Sequence, residues 1–281
     1  MVNENLLYNQ INLFSGSLKP FSGCLQYSHP STRIPKMNSQ PALQTALNHR
    51  SIRKFSEQAI PEELFAQLIA AGQMASTSSY LQNVSVIRVR DRAKRAQIRA
   101  ICAGQGGAGH HYVENCAEFL VFCIDGARHK YFAPDAQLDW TECLITGSVD
   151  VALFAQNLLL CAESCGLGGV YIGSIRNDIN QLAEILHTPE YVVPLVGLCL
   201  GYPAQEPAQR PRLPAQVVVS ENEYQEANAD ELEAYNQTVG QYYNERGNAD
   251  LDWRKQIQGN LCTEVRPEIL PFLHKQGFAK R

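Results

Sequence analysis

Apolar residues change their spacing several times along the chain, and each change marks an element. In EELFAQLIAAGQ, after Pro61, they recur at the helical period through about Gln73, with proline in the first turn and Glu62 and Glu63 at the positive end. VSVIRVR, from Val84, alternates and predicts a strand with one wet face. AEFLVFCID is apolar without a break and bounded by charge, which predicts a buried strand. The run from Trp140 to Gly166 is too long for a strand and apolar nearly all round, so it predicts a central buried helix stopped at Gly166. YVVPLVGLCLGYP predicts another strand and VYI a short one, with helices over 229–246, 252–262 and 266–276. Strands and helices interleave without a regular βαβ repeat, which favours an α+β layered fold over a doubly wound one.

Residues 1–38 have no sustained period and are rich in Ser, Pro and Gly, which predicts a poorly ordered N-terminal extension ahead of a compact domain over 39–281. Met37 is a candidate start, so the extension is a candidate non-native segment. An organellar targeting peptide is the alternative, against which the scarcity of basic residues speaks.

The chain of 281 residues carries a net charge of −4, which gives no reason to expect nucleic acid or an anionic membrane as partner. No run of about 20 apolar residues predicts a membrane span. The nine cysteines are odd in number, form no CxxC pair and lie mostly in apolar runs, so they read as thiols in a reducing cytoplasm. Cys161 and Cys165 share a helical face, but no His or Asp partner stands at zinc spacing, so no metal is expected.

Against this acidic background, HRSIRKF (49–55) is a local basic cluster. On a helical turn Arg50 and Arg53 would share a face and fork a phosphate, with Ser51 adding a donor. The alternative is a solvated basic face paired with Glu57, Glu62 and Glu63. MASTSSYLQN (74–83) follows a helix with four hydroxyl residues, Ser76 to Ser79, beside Tyr80, and reads as a donor-rich site loop or a plain surface loop. CGLGGVYIGSIRND (165–178) is glycine-rich, yet its spacing and its position after a helix do not fit a dinucleotide fingerprint. What remains is backbone that a flat ligand can approach closely, or two tight turns around a core strand. QRPRLP (209–214) holds Arg210 and Arg212 between prolines that stiffen an anion grip or simply a surface loop. If these clusters converge, they suit a phosphate monoester bearing a flat organic group. No Walker A motif or acidic magnesium cluster supports ATP, and no lysine lies in an apolar run to form a Schiff base. Flavin mononucleotide (FMN) is the economical candidate.

The stretches HRSIRKF, ASTSSYLQ, PDAQL, GLGGVYIGSIRN, VPLVGLCLGYP and RPRLP occur in the order seen in the oxygen-insensitive nitroreductase family. Over about residues 40–281 the chain resembles its NADPH-dependent A group, which also holds the NADPH–flavin oxidoreductases. The resemblance implies an α+β nitroreductase-like fold with a central, mostly antiparallel sheet flanked by helices. It also implies an intertwined homodimer with FMN at the subunit interface and a C-terminal segment that embraces the partner. By matching motifs, His49, Arg50, Ser51 and Arg53 would hold the phosphate and ribityl end. Thr77, in the hydroxyl loop, would meet the flavin. Tyr171, Ile172, Gly173 and Ser174 would line the ring. Arg210 and Arg212 would reach the phosphate region. Ser79, Tyr80 and Arg266 would face the substrate, and Arg246 the nicotinamide cofactor.

The family carries Lys at Arg210, and commonly Gly where Ser174 stands. Its flavin-contacting Gln lies in a short loop that is longer here, CAGQGGAGHHYVEN, with Gln105 the first candidate and His110 the second. A second Arg suited to the 2′-phosphate of NADPH is missing near ERGNADLDWRK, where Asp250 would repel a phosphate and Arg254 and Lys255 are the substitutes at hand. The activity implied is an FMN-dependent oxidoreductase, NADPH- or NADH-driven, that reduces nitroaromatics, quinones or free flavins by two-electron ping-pong hydride transfer. The alternative is a non-catalytic flavin-binding module. A relative acting on other substrates, by dehalogenation or flavin destruction, uses the same fold.

Overall fold

The computed structural model describes residues 41–104 and 107–281; the expected extension over 1–38 and the candidate Gln105 lie outside them. The first half holds α1 (Pro41–Leu47), α2 (Glu62–Gln73), β1 (Val84–Arg88), α3 (Arg92–Ala103), α4 (Tyr112–Asn115), β2 (Glu118–Asp125), α5 (Ala127–Phe132) and α6 (Thr141–Ser164). The second holds β3 (Gly168–Ile172), α7 (Ile179–Leu186), β4 (Val192–Gly201), α8 (Ala215–Val218), α9 (Ala229–Asn244), α10 (Trp253–Leu261) and α11 (Ile269–Lys275). Two 3₁₀ turns, Ser78–Tyr80 and Gly173–Asp178, carry sequence-predicted site residues.

The four strands form one antiparallel sheet in the order β1-β2-β4-β3, so the expected α+β architecture stands. β2 is buried at every position because both faces are covered. Leu120, Phe122 and Ile124 face α2 and α6, while Phe119, Val121 and Cys123 face the layer of α3 and α7. In β4, Pro194 has no N–H to donate, and the β2–β4 register shifts between Phe122 and Cys123. The Leu195 carbonyl left at this irregularity accepts from Arg176 Nη1.

Two sequence expectations change. β1 is half-buried at all five positions and has no cleanly wet face. As the edge strand it is covered in part by Arg88, whose guanidinium lies over the Phe65 ring and bonds Glu62 and Glu118. The helix α6 is not buried all round. Ile145, Val149 and Leu153 are 52%, 47% and 43% exposed and form a stripe at i, i+4 and i+8. Among the described residues α6 alone is long and apolar enough to cross a membrane, but it carries the buried Asp150 and packs on α2 and the sheet. It ends as expected: Gly166 takes φ +79°, while Gly166 N and Leu167 N close on Glu163 O and Ala162 O.

Residues beyond β4 leave the sheet. There α9 and α10 pack on each other through Tyr235 and Trp253, whose ring centroids lie 5.1 Å apart, and through Gln256 Nε2 donating to the Tyr243 hydroxyl at 2.7 Å. The final helix, α11, returns to the core with Phe272 and Leu273.

Candidate functional site

The basic cluster is extended, not helical, so Arg50 and Arg53 do not share a helical face. The 49–55 segment runs beside the sheet edge: Ile52 N donates to Gly169 O at 2.9 Å and Phe55 bridges to Pro203. Two glycines permit this approach. A Cβ on Gly168 would stand 2.5 Å from Ile52 Cγ1, and one on Gly201 2.9 Å from Phe55 Cδ1. The segment brings Arg50 and Ile52 beside Gly168.

Arg50 therefore lines a groove of about 640 Å³ with Asn48, Ile52, Glu163, Gly168 and Gln205, within the size range of small-ligand sites. Its Nη1 has a long 3.4 Å contact with Glu206, which is 86% exposed, and its Nε is buried with no partner among the described residues. The expected alternative pairing with Glu57, Glu62 and Glu63 does not occur, since Glu62 is taken by Arg88 and Arg90. His49 Nδ1 lies 2.6 Å from Glu163 Oε1 in the last turn of α6. Tyr171, on β3, is held above the usual phenol range by burial and then by the Glu163 charge, and its hydroxyl is buried without a partner.

At the other end of β3, about 16 Å away at 3.3 Å per residue, a second cluster forms. Ser174 Oγ lies 3.1 Å from His110 Nε2. His110 has φ +64° and is held below the usual imidazole range by burial and then by the Arg53 charge. Arg266 Nε donates to Asn177 Oδ1 at 3.0 Å. Arg176 is lowered by burial first and by Arg266 second, so the two cations face one region. Gly173 is open: an added Cβ would meet only Arg176, at 3.5 Å or more. Ile172 is buried and fixes this end of the strand in the core.

The hydroxyl loop is separate. Ser78 N and Ser78 Oγ both donate to Asp150 Oδ1, at 2.9 and 2.8 Å. Asp150 is 1% exposed, midway along α6. Ser79, Tyr80 and Gln82 take φ of 49°, 57° and 51°, a run of left-handed non-glycine residues held by that anchor. Ser79 and Tyr80 are exposed, and Thr77 lines a cleft with Phe132, Phe154 and His129.

The remaining residues lie on the C-terminal excursion. Arg210 Nη2 donates to the Tyr243 hydroxyl at 3.1 Å, and Arg212 Nη1 to the Arg210 carbonyl at 3.0 Å. Among the described residues, no hydrogen bond or ion pair joins them to the 49–53 segment. Arg246 lies over the Tyr242 ring. Arg254 pairs with Glu233 at 2.7 Å, and Lys255 Nζ donates to Asp250 O at 2.6 Å, so both proposed substitutes are occupied.

Asp150, Glu163 and Asn177 were not singled out in the sequence. For the two acids the signal was available: each is a charge inside an otherwise apolar helix.

The Nitroreductase family model matches residues 46–109 and 144–202, and its C-terminal domain matches 210–281. The NADPH-flavin oxidoreductase of Vibrio harveyi is 49% identical over 241 residues, covering 85% of this chain and 98% of that protein. The oxygen-insensitive NADPH nitroreductase of Salmonella typhimurium is 46% identical over 243 residues, covering 86% and 99%. Among solved structures, nitroreductase A from Vibrio parahaemolyticus superposes with TM-score 0.80 at 47% identity, covering 86% of this chain and all of that one. The NADPH:FMN oxidoreductase from Vibrio harveyi complexed with NAD+ gives 0.79 at 48% identity, with the same coverage. The chain, matched along nearly the whole length of these relatives and in both parts of the family model, belongs to the nitroreductase family.

Proposed function

We propose that this protein is an FMN-dependent oxidoreductase that takes hydride from NADPH and reduces flat acceptors such as nitroaromatics, quinones or free flavins. The relatives named NADPH-flavin oxidoreductase and oxygen-insensitive NADPH nitroreductase support the reaction. The observation that carries the cofactor assignment is Arg50, whose buried Nε has no partner and whose Nη1 has only a long contact to an exposed glutamate. A buried guanidinium N–H left unpaired is costly, and a phosphate oxygen satisfies it.

Bound FMN supplies the hydride chemistry. The chain's own residues bind and orient. Arg50, His49 and Ser51 take the phosphate and ribityl end; the open backbone at Gly173, with Tyr171, Ile172 and Ser174, takes the ring; the flavin-contacting loop position goes to Gln105 first and His110 second. Arg53 and Arg266 add positive charge around that end. Arg210 and Arg212 approach the phosphate from the C-terminal excursion, and Ser79, Tyr80 and Arg246 meet acceptor and nucleotide.

The working unit is a homodimer. His49 is tied to Glu163 and Ser78 to Asp150, and these acids lie about 20 Å apart along α6 at 1.5 Å per residue. One protomer cannot close both on one flavin. A two-fold that runs two copies of α6 past each other covers the Ile145, Val149 and Leu153 stripe and brings one copy's hydroxyl loop toward the other's anion end. Residues 1–38 precede this unit as an extension, and residues 39–281 form it. A cytoplasmic setting fits the eight cysteines found free among the described residues.

The test is anaerobic stopped-flow bleaching of the purified, FMN-loaded protein with NADPH and NADH in parallel. Faster bleaching with NADPH is expected. Equal or faster bleaching with NADH assigns the donor to NADH, in keeping with Asp250 and the occupied Arg254 and Lys255. Absence of a flavin spectrum after FMN addition overturns the function.

A further inference from the structure

We infer that Glu163 is a positioning residue of the anion end: its carboxylate fixes the His49 ring so that Nε2 is the nitrogen offered to the FMN phosphate. This rests on the reading that His49 and Arg50 hold that phosphate.

Glu163 stands where a helix disfavours an acid. It lies in the last turn of the 24-residue α6, at the negative end of the dipole. Its side chain is only 10% exposed, so desolvation adds to that cost. Among the described residues no Lys or Arg pairs with it; its one partner there is His49 Nδ1 at 2.6 Å, and its second oxygen is buried without a bond to them. Helix stability does not account for such a group, but the histidine contact does.

In an imidazole, the bond made by one nitrogen decides what the other offers. A carboxylate on Nδ1 holds the proton there and locks the ring plane, leaving Nε2 on the opposite edge. The His49 side chain keeps 29% exposure, so that edge is reachable. Glu163 and Arg50 line the same groove. A bare carboxylate beside a phosphate would repel it; here the imidazole stands on the contacting oxygen. With phosphate bound, Nε2 donates to a phosphate oxygen while Nδ1 stays on Glu163.

The experiment compares FMN with riboflavin, which lacks the phosphate, by quenching of flavin fluorescence on cofactor-stripped protein. Glu163→Gln keeps volume and an acceptor oxygen but removes the charge. FMN affinity is expected to fall about tenfold, the size typical of partners that orient a ligating histidine, with riboflavin affinity unchanged. On a His49→Ala background the same change should add no further loss. Equal loss for both flavins, or no loss for either, overturns the inference and leaves Glu163 a fold residue. Wild-type protein that binds riboflavin as tightly as FMN overturns the phosphate assignment itself and this inference with it. A measurement on the unmodified protein covers a variant that fails to fold. Proton–nitrogen correlation of the His49 ring should place a proton on Nδ1 without ligand and on both nitrogens with FMN; a proton on Nε2 alone in either state overturns the assignment.

Discussion

Two carboxylates on one helix, one buried and one largely so, make different contacts. Asp150 accepts two bonds from a single residue, the Ser78 N–H and hydroxyl, and so pins a loop whose next residues sit in left-handed backbone. Glu163 accepts one bond, from a ring that can gain and lose a proton. The first is an anchor for backbone shape and the second, in the proposed site, a guide for a ligand-facing side chain. Each leaves one oxygen buried and unpartnered. The helix thus separates the donor-rich loop from the anion end, and the separation makes the exposed apolar stripe between them matter.

The sharpest way to break this picture is at the stripe. Leu153→Asp puts a charge on the face expected to meet the second copy, a change that costs several kcal/mol when the face is covered. Sedimentation should show a monomer that no longer retains FMN; a dimer that keeps its flavin would show that α6 meets no partner there.

At the anion end, Arg50→Ala should lower FMN affinity about 100-fold, or roughly 3 kcal/mol, the scale of a charge-assisted pair of bonds. Flavin titration reads it, and unchanged occupancy removes Arg50 from the site.

In the hydroxyl loop, Asp150→Ala should cost roughly 2 kcal/mol in denaturant unfolding, because Ser78 N loses its acceptor. Ser78→Ala should cost about 1 kcal/mol, since the backbone bond survives. Equal losses would contradict a share held by the main chain.

The smallest effect is at the far end of β3. His110 is depressed by burial and by Arg53, and the groups around it are Ser174, Tyr112, Cys102, Arg53 and Arg266. Below the ordinary histidine value of 6.5 the unfolded chain binds a proton that the folded one refuses, so stability falls as pH falls through that window. His110→Gln should flatten this part of the pH–stability curve, as followed by thermal unfolding across it.

Much of this was legible in the residues. Unbroken apolar runs announced β2 and β4 because both sheet faces are covered. Pro61 with Glu62 and Glu63 announced α2, and Gly166 the stop of α6. The order of HRSIRKF, the hydroxyl loop and the glycine strand announced the family. Other features were not legible. HRSIRKF has no period that distinguishes a helical turn from an extended strip; Gly168 and Gly201 decide it by letting Ile52 and Phe55 close on the sheet. The length of α6 and its apolar surface announced burial, whereas three of its residues are exposed.

The sequence alone determined most of the elements, the fold class and the residue types of the proposed anion-and-flat-ring site, because propensity and patterning act over a few residues. Only the tertiary structure decided which of them meet. It set Glu163 on His49, Asp150 on Ser78 and Ser174 on His110, contacts between groups 64 to 114 positions apart. Such pairs leave no local pattern, since their distance is set by how strands register and helices pack.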